Sequence, residues 1–191
     1  MDMWKECKNL QDEIVKNRRE LHQIPELGGG LPKTKRYVED KLTELGITYT
    51  ENKTDDGLIA TIEGKKKGKV IAFRADMDAL PIKELNDVDY ISKHEGCMHA
   101  CGHDTHMAML LGAAKVINKN KDKISGTVKL FFQTDEEGSK GAKRMCNEGC
   151  MKGIDAVFGT HIGTIISKDV PAGTVICAPG CVMASFDKFI I

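Results

Sequence analysis

Apolar residues recur at three- and four-residue steps over residues 4–22, through Trp4, Cys7, Leu10, Ile14, Val15 and Leu21. This spacing predicts one amphipathic helix, closed by Pro25 and the glycines at 28–30. Thr34 is placed to cap a second helix over 35–45, with Tyr37, Val38, Leu42 and Leu45 inward and Gly46 as its stop. The period then changes. Residues 47–51 and 58–63 read as strands, and the short apolar run 70–74 as a strand buried on both faces. Lys65-Lys66-Lys67, between Gly64 and Gly68, reads as a solvated turn. A strongly apolar helix is predicted over 105–118 with Asp104 as N-cap. A strand at 127–132, a helix at 139–149 and a strand at 154–159 follow, and 182–191 reads as a further strand. Strands alternating with helices predict an α/β layered sheet. Ending on the apolar Phe189-Ile190-Ile191 is unusual for a domain and suggests a C-terminally truncated chain.

Composition narrows the function classes. The 191 residues, 41% of them hydrophobic, allow one core and at most a small second domain. Lys+Arg and Asp+Glu both number 28, so no net field draws the chain to nucleic acid or to an anionic membrane. The charged start Met1-Asp2-Met3-Trp4-Lys5-Glu6 lacks an apolar signal core, and no apolar run reaches membrane-spanning length. A cytoplasmic protein is expected. Seven cysteines, an odd number, do not read as a secreted disulfide scaffold, and their repeated C-x-x-x-C spacing reads as chance. Cys101 is set apart by its neighbours.

Three acid- or imidazole-bearing segments each follow a predicted core strand: Asp76 and Asp78, then Asp135-Glu136-Glu137, then Thr160-His161. Open α/β sheets bind ligands beyond the carboxyl ends of their strands, so these groups are candidates for one site. Cys101 and His103 stand just before the 105–118 helix. Thiolate, imidazole and carboxylate are common zinc ligands and suit other divalent metals. In an extended loop Glu136 and Glu137 should diverge, one toward metal and the other toward water as general base. A Cys101–His103 nucleophilic dyad is the competing reading, but such pairs usually come from separate elements.

Taken in order, Arg74-Ala75-Asp76-Met77-Asp78-Ala79-Leu80-Pro81-Ile82, Met98-His99-Ala100-Cys101-Gly102-His103-Asp104-Thr105-His106, Phe132-Gln133-Thr134-Asp135-Glu136-Glu137-Gly138 and Gly159-Thr160-His161 resemble the metal-dependent amidohydrolases of the aminoacylase and carboxypeptidase G superfamily. The branch is that of hippurate hydrolase, N-acetyldiaminopimelate deacetylase and the indole-acetyl-amino-acid hydrolases. His22-Gln23-Ile24-Pro25-Glu26-Leu27 also matches.

The resemblance implies a three-layer α/β/α sandwich of the zinc-exopeptidase type. Residues 1–180 would be the N-terminal part of the catalytic domain, and 181–191 the start of an inserted lid or dimerisation domain. It implies two divalent ions, manganese first, with zinc, cobalt or nickel as alternatives. Cys101 would bridge them, and His103, Glu137 and His161 would be further ligands. Glu136 would be the general base, with Asp78 supporting the catalytic set. Asp76 stands where other branches have a histidine ligand, and His106 matches a family position without a defined role beyond packing in the first helical turn. The implied reaction hydrolyses the amide bond of an N-acyl amino acid, N-acetyl or N-benzoyl or similar, into carboxylate and amino acid, through water activated by the metals. Full-length members are homo-oligomers acting on small molecules, and a final histidine ligand would come from residues beyond 191. Leu31 in place of glutamate, the Gly28-Gly29-Gly30 run and Thr134-Asp135 depart from the family pattern. The alternative functions are an inactive or purely metal-binding fragment and a cysteine hydrolase using Cys101.

Overall fold

A computed structural model describes residues 3–163, 169–171, 173–177 and 179–180; the strand predicted over 182–191 lies outside them. Five strands form one mixed sheet in the order β1-β2-β4-β3-β5: Thr48–Glu51 (β1), Leu58–Glu63 (β2), Lys66–Asp76 (β3), Ser125–Gln133 (β4) and Ala156–Gly159 (β5). β1, β2 and β4 pair antiparallel, whereas β3 runs parallel to both β4 and β5. The carboxyl ends of β3, β4 and β5 therefore open on the same edge.

Side chains alternate across the sheet with the period of two that a pleated strand imposes. Leu58, Ala60, Ile62, Ala75, Val128, Leu130 and Phe132 face a large core closed by helices Gln11–His22 (α2), Pro32–Glu44 (α3) and His103–Lys119 (α4). Ala72 and Phe131 face the other way, onto Met145 of helix Gly141–Asn147 (α5). Helices on both faces give the three-layer α/β/α sandwich.

Several local expectations are corrected. The first helix is two, Met3–Lys8 (α1) and α2, separated at Asn9 and Leu10. The break lets α1 reach the far end of α4, where Glu6 meets Lys119 at 3.1 Å and accepts from Asn120 at 3.2 Å. Thr34 is not a cap. Pro32, whose fixed φ suits a first helical residue, starts α3 three residues earlier than expected. The Glu26 carboxylate accepts the free amides of Lys33 and Thr34 in place of a capping hydroxyl. Lys66 and Lys67 belong to β3, which shifts register between Lys66 and Val70 so that only the upper part of the strand is buried. Helix α5 and strand β5 are both shorter than the sequence pattern suggested.

Asp104 is not the N-cap of α4 either. Gly102 holds that position at φ +88, a left-handed conformation natural to glycine, and its Cα lies so close to Ile162 that a Cβ would sit 2.6 Å from Ile162 Cδ1. Asp104 turns inward instead. Its fully buried carboxylate meets His22 Nδ1 at 2.6 Å and Arg18 Nε at 2.9 Å, and His22 Nε2 lies 3.0 Å from Glu84. This quartet ties α2, the first turn of α4 and the loop before it.

Burial pushes the His22 imidazole down, but its hydrogen bonds to Asp104 and Glu84 more than offset that and leave it raised. Burial pushes Asp104 and Glu84 up, yet the bond to His22 and neighbouring donors and charges leave both lowered. A raised imidazole contributes stability below its unfolded value of about 6.5 and loses it as pH rises through the folded value. Lowered carboxylates contribute above their unfolded values of about 4 and lose it as pH falls through the folded ones. The unfolding free-energy difference between the chain and His22→Gln should therefore be largest between about pH 4 and 6.5. Urea titrations at a series of pH values would measure it; a difference that grows steadily above pH 7 would contradict the assignment.

Candidate metal centre

The parallel part of the sheet gathers the predicted groups at one edge. Asp76 closes β3 and Asp78 follows it; Glu136 and Glu137 follow β4; His161 follows β5; Cys101 and His103 stand at the start of α4.

Asp78 is the hub. One carboxylate oxygen accepts the Glu136 amide at 3.0 Å, and the other accepts the Glu137 amide at 3.1 Å. Its backbone carbonyl accepts the Nδ1–H of His103 at 2.8 Å. With both oxygens spent on amides, Asp78 acts on the acidic pair through its backbone. Both glutamates lie near His103 Nε2, Glu136 Oε2 at 3.9 Å and Glu137 Oε1 at 3.8 Å. The expected divergence of the two side chains is thus not found. Residues 136–139 form a turn rather than an extended loop, entered through Asp135 at φ +49, so neighbours do not alternate. Helix α5 begins immediately afterwards, and Gly141 permits it: a Cβ there would overlap the carbonyl oxygen of Thr134.

Cys101 Sγ lies 3.3 Å from His161 Nε2, while His161 Nδ1 donates to the carbonyl of Ile162 at 2.5 Å. Ligand-type atoms of Cys101, His103 and His161 fall within 4.8 Å of one another, as do those of His103, Glu136 and Glu137. His103 is the residue shared by the two groups, whereas the sequence resemblance implies Cys101 as the bridge.

Two observations show that this donor set fits cations. The Nε2 of His103 is buried and has no hydrogen-bond partner among the described residues. Because Nδ1 donates to Asp78, Nε2 carries the free lone pair, which is how a supporting hydrogen bond prepares a histidine to bind metal. The second observation is charge. Burial and the neighbouring Glu137, Glu136 and Asp76 push the Cys101 thiol up to about 12. Burial and the charges of Asp76 and Glu137 raise Glu136 as well. A cation would relieve this repulsion and hold Cys101 as thiolate. The same raised thiol argues against a cysteine hydrolase, whose nucleophile needs a depressed pKa.

Divalent cation should therefore stabilise the fold. At about a hundredfold excess over Kd the gain is about 2.7 kcal/mol, or roughly 5–10 °C in Tm for a chain of this size. Calorimetry with and without chelator would read it, and His103→Ala should remove the shift.

Sequence reasoning missed two contacts. His106 Nδ1 lies 2.6 Å from Asp76 Oδ1, and the ring packs against His103 and His161 with centroids 5.5 and 4.8 Å apart. Its role thus exceeds packing in the helix. The spacing of His103 and His106, three apart on one helical face, was the available signal. Burial pushes Asp76 up, but the bond to His106 and the charges of His103 and Arg74 bring it down to about 2. The inward turn of Asp104 had no such signal.

Comparisons with known proteins agree with this architecture. Thermostable carboxypeptidase 2 of Saccharolobus solfataricus is 45% identical over 99% of this chain and 49% of its own length. The N-acetyl-L-cysteine deacetylase of Bacillus subtilis is 42% identical over 94% of this chain and 42% of its own. Among solved structures, the YXEP protein of Bacillus subtilis, described as a dinuclear metal binding peptidase of the M20 family, superposes with a TM-score of 0.77 at 38% identity, covering 81% of this chain and 44% of that one. The chain thus spans about half the length of the curated relatives it matches. Residues 72–180, from the middle of β3 to beyond β5, match the sequence pattern of peptidase family M20/M25/M40, and with more than half of its residues inside that match the chain belongs to this family.

Proposed function

We propose that the chain supplies most of the active site of an N-acyl-amino-acid amidohydrolase, which cleaves N-acetyl, N-benzoyl or similar amino acids into a carboxylate and a free amino acid. The observation that carries this reading is the Asp78 hub. It presents Glu136, Glu137 and the bare Nε2 of His103 to one point beside Cys101 and His161. The N-acetyl-L-cysteine deacetylase relative supports the substrate class.

Cys101, His103, Glu137 and His161 would hold two divalent cations, which when bound polarise an amide carbonyl and acidify water. Manganese is the first expectation, with zinc, cobalt or nickel admitted by the same mixed donors. Glu136 would take the proton of the attacking water and pass it to the departing amine. Its raised pKa favours that proton-holding role. Asp78 holds the loop in place and the lowered Asp76 carboxylate holds His106.

Free thiols among the described residues suit a reducing, cytoplasmic setting, and no helix described is long and apolar enough to cross a membrane. Homo-oligomers remain the expectation for the whole protein. The test is hydrolysis of N-acetyl and N-benzoyl amino acids, with manganese, by the polypeptide that carries this chain. Activity that survives exhaustive chelation would overturn the proposal.

A further inference from the structure

Asp76, His106 and the amide of Ile162 form a continuous chain of hydrogen bonds beneath the candidate metal centre. Asp76 Oδ1 lies 2.6 Å from His106 Nδ1, and the Ile162 amide lies 2.9 Å from His106 Nε2. An amide can only donate, so Nε2 accepts and the ring proton sits on Nδ1, from which it is donated to Asp76. Asp76 and His106 are both buried and lie close enough to His103 to suggest a third cation-binding group. That possibility fails on the chemistry, because both ring nitrogens of His106 are already used and no lone pair is left for a metal.

What the ring does instead follows from its contacts. It meets His161 edge-on and carries the backbone of the next residue, Ile162. The Ile162 carbonyl in turn accepts from His161 Nδ1, which leaves His161 Nε2 turned toward Cys101. The Ile162 side chain is seated against Gly102, where any Cβ would collide with it. The orientation of His161 therefore depends on where the peptide after it is held. We propose that His106 is a positioning residue for His161: Asp76 fixes its tautomer, and its Nε2 pins the 161–162 backbone so that His161 presents Nε2 to the cation beside Cys101. This rests on the reading of His161 as a ligand.

The test uses three variants of the chain. His106→Asn keeps a donor for Asp76 but loses the acceptor for Ile162. Asp76→Asn retains the volume of both side chains; Arg74, which can only donate, holds the amide oxygen at the Oδ2 position, so the NH2 faces Nδ1, favours the opposite tautomer and turns an N–H against the Ile162 amide. His161→Ala removes the ligand. Each is checked for folding by circular dichroism, then followed by hydrogen exchange of the Ile162 amide without metal and by Co2+ titration through its visible absorption. In both His106→Asn and Asp76→Asn, Ile162 should exchange at least about tenfold faster, and the cation that needs His161 should bind about 10–100-fold more weakly, the usual effect of losing a supporting partner. Unchanged exchange in either variant, or wild-type Co2+ affinity in both while His161→Ala loses binding, overturns the positioning role and leaves the ligand reading intact. Wild-type Co2+ affinity in His161→Ala overturns the ligand reading and this proposal with it.

Discussion

In the polypeptide that carries this chain, Glu136→Gln is expected to lower kcat for the proposed hydrolysis by roughly 10²- to 10⁴-fold, the range of a positioned acid–base group, while leaving cation binding nearly unchanged. The substitution keeps the side chain's size and the amide bond to Asp78, since Asp78 accepts from the Glu136 backbone rather than its side chain. Gln cannot take a proton from water, and it cannot return one to the departing amine. Glu137→Gln makes the contrast. It should weaken the cation site first, and its loss of rate should be partly recovered by added metal. Steady-state kinetics beside metal analysis separates the two. Equal loss of metal in both variants would mean that the roles of the pair are not divided.

Asp78→Ala should be the most damaging single change to the loop itself. The carboxylate is fully buried and holds two amides that have no other acceptor among the described residues. Leaving a fully buried donor unpaired costs about 1–3 kcal/mol; these two amides are partly buried, so together they set an expected loss on the order of 1–3 kcal/mol. Asp78→Asn should rescue little, because one of its two terminal atoms becomes a donor facing a donor. Urea unfolding would show a lower midpoint at unchanged slope, and cation affinity should fall about 10–100-fold as the glutamates lose their support. A variant of normal stability would mean that the Glu136 and Glu137 amides find water or another partner.

Much of this was legible in the sequence, for reasons that differ by element. The sheet and α4 were readable because their burial has a period: Leu58, Ala60 and Ile62 alternate inward, and the apolar face of α4 is broad enough to tolerate an error at its start. The candidate segments were readable because three of them follow strands, the fourth opens α4, and together they form an ordered motif set. The contacts between segments were not. Nothing local says that Asp104 should ignore its own helix and reach His22, 82 residues away, or that Asp78 should accept two amides from a turn 58 and 59 residues later. Periodicity reports which face a residue takes, and these partners are set by the tertiary packing of several elements. The Glu136-Glu137 pair was misjudged for a related reason: the positive φ of Asp135 sits in a residue that gives no glycine-like warning.

The pairing of β5 with β3 has a consequence for how a metal would be acquired. The two strands meet across 85 residues, and β5 is the one that delivers His161. During synthesis Cys101, His103 and the glutamates leave the ribosome well before it, so the candidate donors carried by this chain are together only once β5 has docked. Cation loading would then follow the docking of β5 and draw on whatever pool surrounds the chain. With thiol, imidazole and carboxylate donors together, local metal supply rather than intrinsic preference would decide the occupant.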